Sequence, residues 1–174
     1  MNRLSRIRVA ATGPVRQRGF LVARGLTVPC ALGRSGIATN KYEGDGATPR
    51  GCWRPVAVIW RADRLPRPAT VLPIRPLAPH DGWCDDPADR RYNRPVRLPY
   101  PGRHENLWRA DRLYDVIVVL DYNLARPQKG VGSAIFLHIA APGFPPTEGC
   151  IAVAPQAMRR LLSRIDAHTV IDVR

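Results

Sequence analysis

Leu113-Tyr114-Asp115-Val116-Ile117-Val118-Val119-Leu120 and, shortly after it, Ser133-Ala134-Ile135-Phe136-Leu137-His138-Ile139-Ala140 decide the fold. Each is a short apolar run rich in β-branched residues, without the polar alternation of a surface strand. Such runs suit central strands covered on both faces. Both are expected to be buried, and the sheet they belong to must gather its other strands from the flanking sequence.

Upstream, Ile7-Arg8-Val9 and then Leu26, Val28, Cys30 and Leu32 place apolar groups at every second position, the period of a half-buried strand. Residues 34–49 hold Gly36, Gly44, Gly46 and Pro49 with little apolar periodicity and read as a loop. Strand character resumes over Cys52 to Arg61, with Val56, Val58 and Trp60 on one face. From Leu65 to Pro101 prolines recur every few residues, which excludes regular sheet or helix there. A long irregular segment in a small domain is often functional, so a substrate groove is expected in it. Downstream, Pro155 suits a first helical turn, and Ala157, Met158, Leu161, Leu162 and Ile165 recur at helical spacing with Arg159, Arg160 and Arg164 on the wet side. Thr169 to Val173 reads as a final strand. The class is mainly β.

The chain of 174 residues fits one domain, and 45% apolar with 24% charged residues is the balance of a soluble globular protein. Its 18 prolines and 14 glycines argue against a helical bundle. Lys plus Arg is 27 against 14 acids, a formal charge of +13, and Lys41 and Lys129 are the only lysines. Such a field attracts polyanions or acidic substrates. The arginines run from Arg3 to Arg174 without forming a stripe, and no recognition helix, stacking platform or finger-like spacing accompanies them, so no nucleic-acid partner is expected. Cys30, Cys52, Cys84 and Cys150 are widely spaced with no C-x-x-C pair, and are read as free thiols with no metal site. Met1 to Gly19 offers no apolar signal-peptide run and nothing approaches a membrane span. The expected location is cytoplasmic, or periplasmic if the true N-terminus lies upstream. No cofactor is expected, and the protein is expected to be a monomer.

The chemistry concentrates in Phe136-Leu137-His138-Ile139-Ala140 and, after a Gly/Pro-rich turn, Thr147-Glu148-Gly149-Cys150-Ile151-Ala152. A histidine in an apolar strand is costly unless its ring nitrogens find partners, and a cysteine beside glycine has its backbone open to a ligand. The twelve-residue step from His138 to Cys150 is strand, turn, strand, which lets the side chains meet across neighbouring strands. An ordinary thiol, pKa about 8.5, needs an imidazole either to take its proton or to stabilise its thiolate before it attacks a carbonyl. Amide groups of Gly149 and Cys150 are natural oxyanion donors. Buried histidines and cysteines are more often structural than catalytic, so the residues alone leave both readings open.

SAIFLHIA (133–140) with PTEGCIAV (146–153) closely resembles the active-site segment of the L,D-transpeptidase catalytic domain, also called the YkuD domain. EGDGATPRG (43–51), GWCDDP (82–87) with Tyr92-Asn93, and LYDVIVVLDYN (113–123) with KGVGSAIFLH (129–138) look like one branch of it, over roughly residues 20 to 155. The resemblance implies a β-sandwich or barrel in a single catalytic domain, with one C-terminal helix and strand over 155–174 and a long Pro-rich loop region. It implies a cysteine that attacks the carbonyl of the third, diamino acid residue of a peptidoglycan tetrapeptide stem and releases D-alanine. On this carry-over Cys150 is the nucleophile, His138 the general base and acid, and Gly149 part of the oxyanion turn.

Two departures qualify the likeness. Glu148 stands where the commoner signature has a second histidine and Ala152 where it often has arginine, and the His-to-Cys spacing is short. Recognition of the donor's terminal carboxylate must come from elsewhere, with Arg91, Arg94 and Arg97 as candidates for a bidentate contact. Glu148, with Thr147 beside it, either holds the diamino acid's ammonium or faces solvent. Trp83, Tyr92 and Asn93 are candidates to line the cleft, with core packing the rival for Trp83. Cys84 is expected to be inert, and His104, beside Glu105 and near Trp108, not catalytic. Water in place of an acceptor amine would make the same site an L,D-carboxypeptidase. A non-catalytic, basic polymer-binding module is the alternative from another class. The enzyme readings predict selective modification of Cys150 over the other thiols.

Overall fold

The computed structural model describes residues 3–174. It is mainly β, with 39% strand and 5% helix. The N-terminal half contributes β1 (Arg6–Thr12), β2 (Val15–Ala23), β3 (Leu26–Ala31), the short β4 (Ile37–Ala38) and β5 (Thr48–Pro49), β6 (Gly51–Trp53) and β7 (Pro55–Trp60). The Pro-rich middle carries β8 (Ile74–Pro76), β9 (Asp81–Cys84), β10 (Arg94–Arg97) and β11 (His104–Asn106). Then come β12 (Val116–Leu120), β13 (Phe136–Ile139), β14 (Ile151–Val153), helix α1 (Pro155–Leu162) and β15 (Val170–Val173).

Ten strands form one mixed sheet in the order β6-β15-β1-β2-β3-β14-β13-β12-β7-β8. Only Arg54 separates β6 from β7, yet they lie eight places apart in that order, roughly 38 Å in a flat sheet at about 4.8 Å per strand. The sheet must therefore curl until its ends meet at Arg54, as in a barrel. Asp121 pins the closure: its carboxylate accepts the Arg54 amide at 2.7 Å and its own amide donates to the Arg54 carbonyl at 2.9 Å. The expected single strand over 52–61 is thus two strands, broken where the barrel closes. β1 and β15, both outside residues 20–155, pair in parallel within the sheet.

Residue alternation divides the apolar groups between two cores. Val116, Val118, Leu120, Leu137, Ile139, Ile151 and Val153 face the barrel interior, which α1 plugs with Ala157, Met158, Leu161 and Leu162. Ile117, Val119 and Phe136 point the other way, into a second core with Trp83, Leu107 and Tyr114. The central runs are continuous in apolar character because both their faces are covered.

The Pro-rich middle corrects the expectation that it holds no regular sheet. β10, β9 and β11 form a three-stranded antiparallel sheet, and Trp83 of β9 stands edge-on to Phe136 at 5.1 Å. Pro95 is tolerated because β10 is an edge strand, where a missing N–H costs no ladder bond. Among the described residues no helix is long and apolar enough to cross a membrane.

Candidate active site

β13 and β14 run parallel with Leu137 beside Ile151 and His138 beside Ala152. With a period of two, Phe136 and His138 of β13 share a face with Cys150, just before β14, and Ala152 within it. The side chains of His138 and Cys150 thus emerge on the same side of the sheet, away from the barrel interior. Both line one cleft of about 410 Å³.

The turn before Cys150 is held from several directions. Thr147 Oγ1 donates to the Cys150 carbonyl at 2.7 Å and accepts the Gly149 amide at 3.2 Å, and the Thr147 amide donates to Leu32 O. Gly149 has φ +134°, and a Cβ there would lie 2.8 Å from the Ala47 carbonyl oxygen, so this position demands glycine. Beneath it, fully buried Thr48 donates to Cys150 O and accepts the Gly33 amide. The segment 43–51 is therefore a floor for the Cys150 turn.

The Cys150 thiol donates to the Ala134 carbonyl at 3.2 Å, and its sulfur accepts the Phe136 amide at 3.4 Å. Burial pushes the thiol up to about 12, with Glu105 adding in the same direction and the Phe136 amide opposing. Burial likewise pushes His138 down to about 4, against the pull of the Ile139 and Leu113 carbonyls. Burial thus favours a neutral thiol and a neutral imidazole over a thiolate–imidazolium ion pair. His138 Nδ1 lies 2.9 Å from Ile139 O. A carbonyl only accepts, so Nδ1 carries the proton and Nε2 is left as the basic nitrogen.

Several cleft residues gave no sequence signal of their own. The Tyr114 ring stands edge-on to His138 at 5.2 Å, and its hydroxyl donates to Glu105. Burial raises the Glu105 carboxyl above its usual range. Glu43 accepts hydrogen bonds from Tyr92 Oη and from Ser133 Oγ at 2.7 Å. Arg109 lies over the Tyr114 ring, 5.3 Å from its centroid. Glu43 opens the segment 43–51 and Glu105 follows His104, but only the fold brings both to the cleft that Cys150 lines.

The expected binding residues divide. Thr147 and Glu148 line the cleft. Glu148 is largely exposed and paired with Arg34 at 3.1 Å. Trp83, Tyr92 and Asn93 do not line it. They are 4%, 2% and 2% exposed and form a brace behind its wall. Asn93 Oδ1 accepts from Trp83 Nε1 and the Ala134 amide, while its Nδ2 donates to the Tyr122 and Asn123 carbonyls. Arg91 and Arg94 spend their guanidinium groups on backbone carbonyls, and neither they nor Arg97 line the cleft. His104 Nδ1 is bound to Gly102 O, and Cys84 is a buried free thiol. Among the described residues no cluster of potential metal ligands occurs.

No curated protein and no solved structure matches the chain. The family model described as the L,D-transpeptidase catalytic domain, YkuD, matches residues 14–173, a span that takes in the curled sheet, the bracing segment and the cysteine turn. With a conformationally demanding glycine before a buried cysteine, and a histidine on the same sheet face, the chain belongs to the L,D-transpeptidase (YkuD) family.

Proposed function

We propose that this protein carries out cysteine acyl transfer on peptidoglycan tetrapeptide stems, with Cys150 as nucleophile and His138 as base and then acid. The observation that carries the reading is that these two side chains share one sheet face and open into one cleft in a chain of this family.

Because burial raises the thiol and lowers the imidazole, proton transfer between them ahead of attack is uphill. The transfer therefore accompanies attack. His138 Nε2 takes the thiol proton as Sγ bonds to the carbonyl carbon of the diamino acid residue, and the oxyanion that forms is met by backbone amides of the Gly149-Cys150 turn. The Gly149 amide is held by Thr147 Oγ1 in the resting state and must be shared or released. The C–N bond to D-alanine then breaks, His138 returns the proton to the leaving amine, and a thioester remains on Cys150. An amine of a second stem, or water, attacks the thioester and restores the thiol. Glu43, Asp85, Glu105 and Glu148 give the cleft an acidic lining that suits the cationic side chain of a diamino acid.

The test is incubation of the protein and its Cys150→Ala form with disaccharide tetrapeptide, with products read by mass spectrometry. A cross-linked dimer identifies a transpeptidase, and tripeptide with free D-alanine a carboxypeptidase. Either must vanish in Cys150→Ala. Absence of both products from the intact protein sinks the substrate assignment and favours a polymer-binding role for the +13 charge.

A further inference from the structure

The acidic lining of the cleft sets a problem for the substrate just proposed. A tetrapeptide cleaved before its last residue carries a free carboxylate one residue from the carbonyl under attack, which is about 3.5 Å of chain. That carboxylate must enter a cleft lined by Glu43, Asp85, Glu105 and Glu148. Among the described residues lining it, Arg109 is the one cation. Other cations nearby are engaged: Arg34 pairs with Glu148, Arg103 with Asp85 and Lys41 with Asp45.

Arg109 also has a partner, yet its geometry leaves a place. Its Nε and Nη2 both donate to Asp111, at 2.8 Å for Nε, which occupies one bidentate edge of the guanidinium. The other edge, Nη1 with the second Nη2 hydrogen, has no acceptor among the described residues. A guanidinium offers two such edges, each matched to a carboxylate. Asp111 and the Tyr114 ring hold the guanidinium in place, and the same ring is edge-on to His138, so the guanidinium sits one aromatic ring from the base. Its positive charge reaches the histidine, whose protonated form it disfavours.

We propose that Arg109 is the anchor for the donor's terminal carboxylate, in the role for which sequence offered Arg91, Arg94 and Arg97. This rests on the tetrapeptide reading above, and it makes the enzyme select stems ending in a free carboxylate rather than an amide.

Binding separates the inference from the reading. Affinities for the tetrapeptide and for the same peptide ending in D-alaninamide are measured by calorimetry on Cys150→Ala and on Cys150→Ala/Arg109→Gln, with thermal unfolding to check that both are folded. The acid should bind Cys150→Ala about 10- to 100-fold more tightly than the amide, and the two should bind the double variant equally. Arg109→Lys, which keeps charge but not the edge, should retain part of the preference. A preference for the acid that survives Arg109→Gln, or none in Cys150→Ala, overturns the assignment. If the acid is preferred through Arg109 but the intact protein does not turn tetrapeptide over, the catalytic reading fails while the carboxylate site stands. If neither peptide binds, both fall.

Discussion

The buried neutral histidine makes a prediction about acid stability that does not depend on substrate. In the unfolded chain an imidazole titrates near 6.5, whereas in the fold His138 resists protonation down to about 4. Unfolding in that window takes up a proton, so His138 contributes stability above pH 6.5 that is lost as pH falls towards 4. The linkage relation puts the loss at about 2 kcal/mol by pH 5 and about 3 kcal/mol by pH 4, relative to pH 7. Carboxylates held low by partners, such as Asp45 beside Lys41 and Asp172 beside Arg174, also weaken the fold on acidification. The signal is therefore the difference from a variant lacking the imidazole. Urea unfolding of the wild type and His138→Phe at pH 7, 5 and 4 should show the wild type losing that much more, with the variant's curve flatter by the stated amounts. Parallel curves would mean that His138 titrates in the fold as it does unfolded, and a wild type that gains on the variant as pH falls would mean that it is protonated in the fold; either result would refute the burial-held neutral imidazole.

Gly149→Ala should cost more activity than stability, because relieving a 2.8 Å approach to Ala47 O displaces Cys150; turnover is expected to fall about 100-fold or more while the unfolding midpoint moves by an amount equivalent to about 1–2 kcal/mol. Mass-spectrometric mapping after brief iodoacetamide treatment near neutral pH should find exposed Cys52 alkylated before Cys150, whose thiol is held near 12 by burial. This reverses the expectation that the nucleophile would be the most readily modified thiol. Asn93→Ala removes four hydrogen bonds from a buried hub at φ +55°, and chemical denaturation should register a loss of about 2–4 kcal/mol.

What the sequence disclosed follows from how local its signals are. The runs at 113–120 and 133–140 are β-branched and apolar on both faces, and they became the paired strands β12 and β13. Pro155 and the 3.6-residue spacing after it marked α1, whose apolar face carries its own period. His138 and Cys150 were legible because a titratable ring in an apolar strand and a thiol beside glycine stand out against their neighbours. The break at Arg54 was not legible, because closure of a barrel is a property of strand order. The sheet at 81–106 was hidden because edge strands tolerate proline. Trp83, Tyr92 and Asn93 have the composition of a binding wall, but their polar atoms are consumed by Glu43, the Gly132 amide and one another. Arg109 was one arginine among many until β11 and β12 brought its segment beside the histidine.

The central claim, that Cys150 forms an acyl-enzyme, is tested most directly by mixing the protein with tetrapeptide, quenching in acid within the first turnovers, and measuring intact and peptide-mapped mass. A tripeptide acyl group is expected in thioester linkage on the peptide carrying Cys150, removed by hydroxylamine and absent in Cys150→Ala. Turnover of tetrapeptide with no adduct on Cys150 in the wild type, or undiminished turnover by Cys150→Ala, would contradict it.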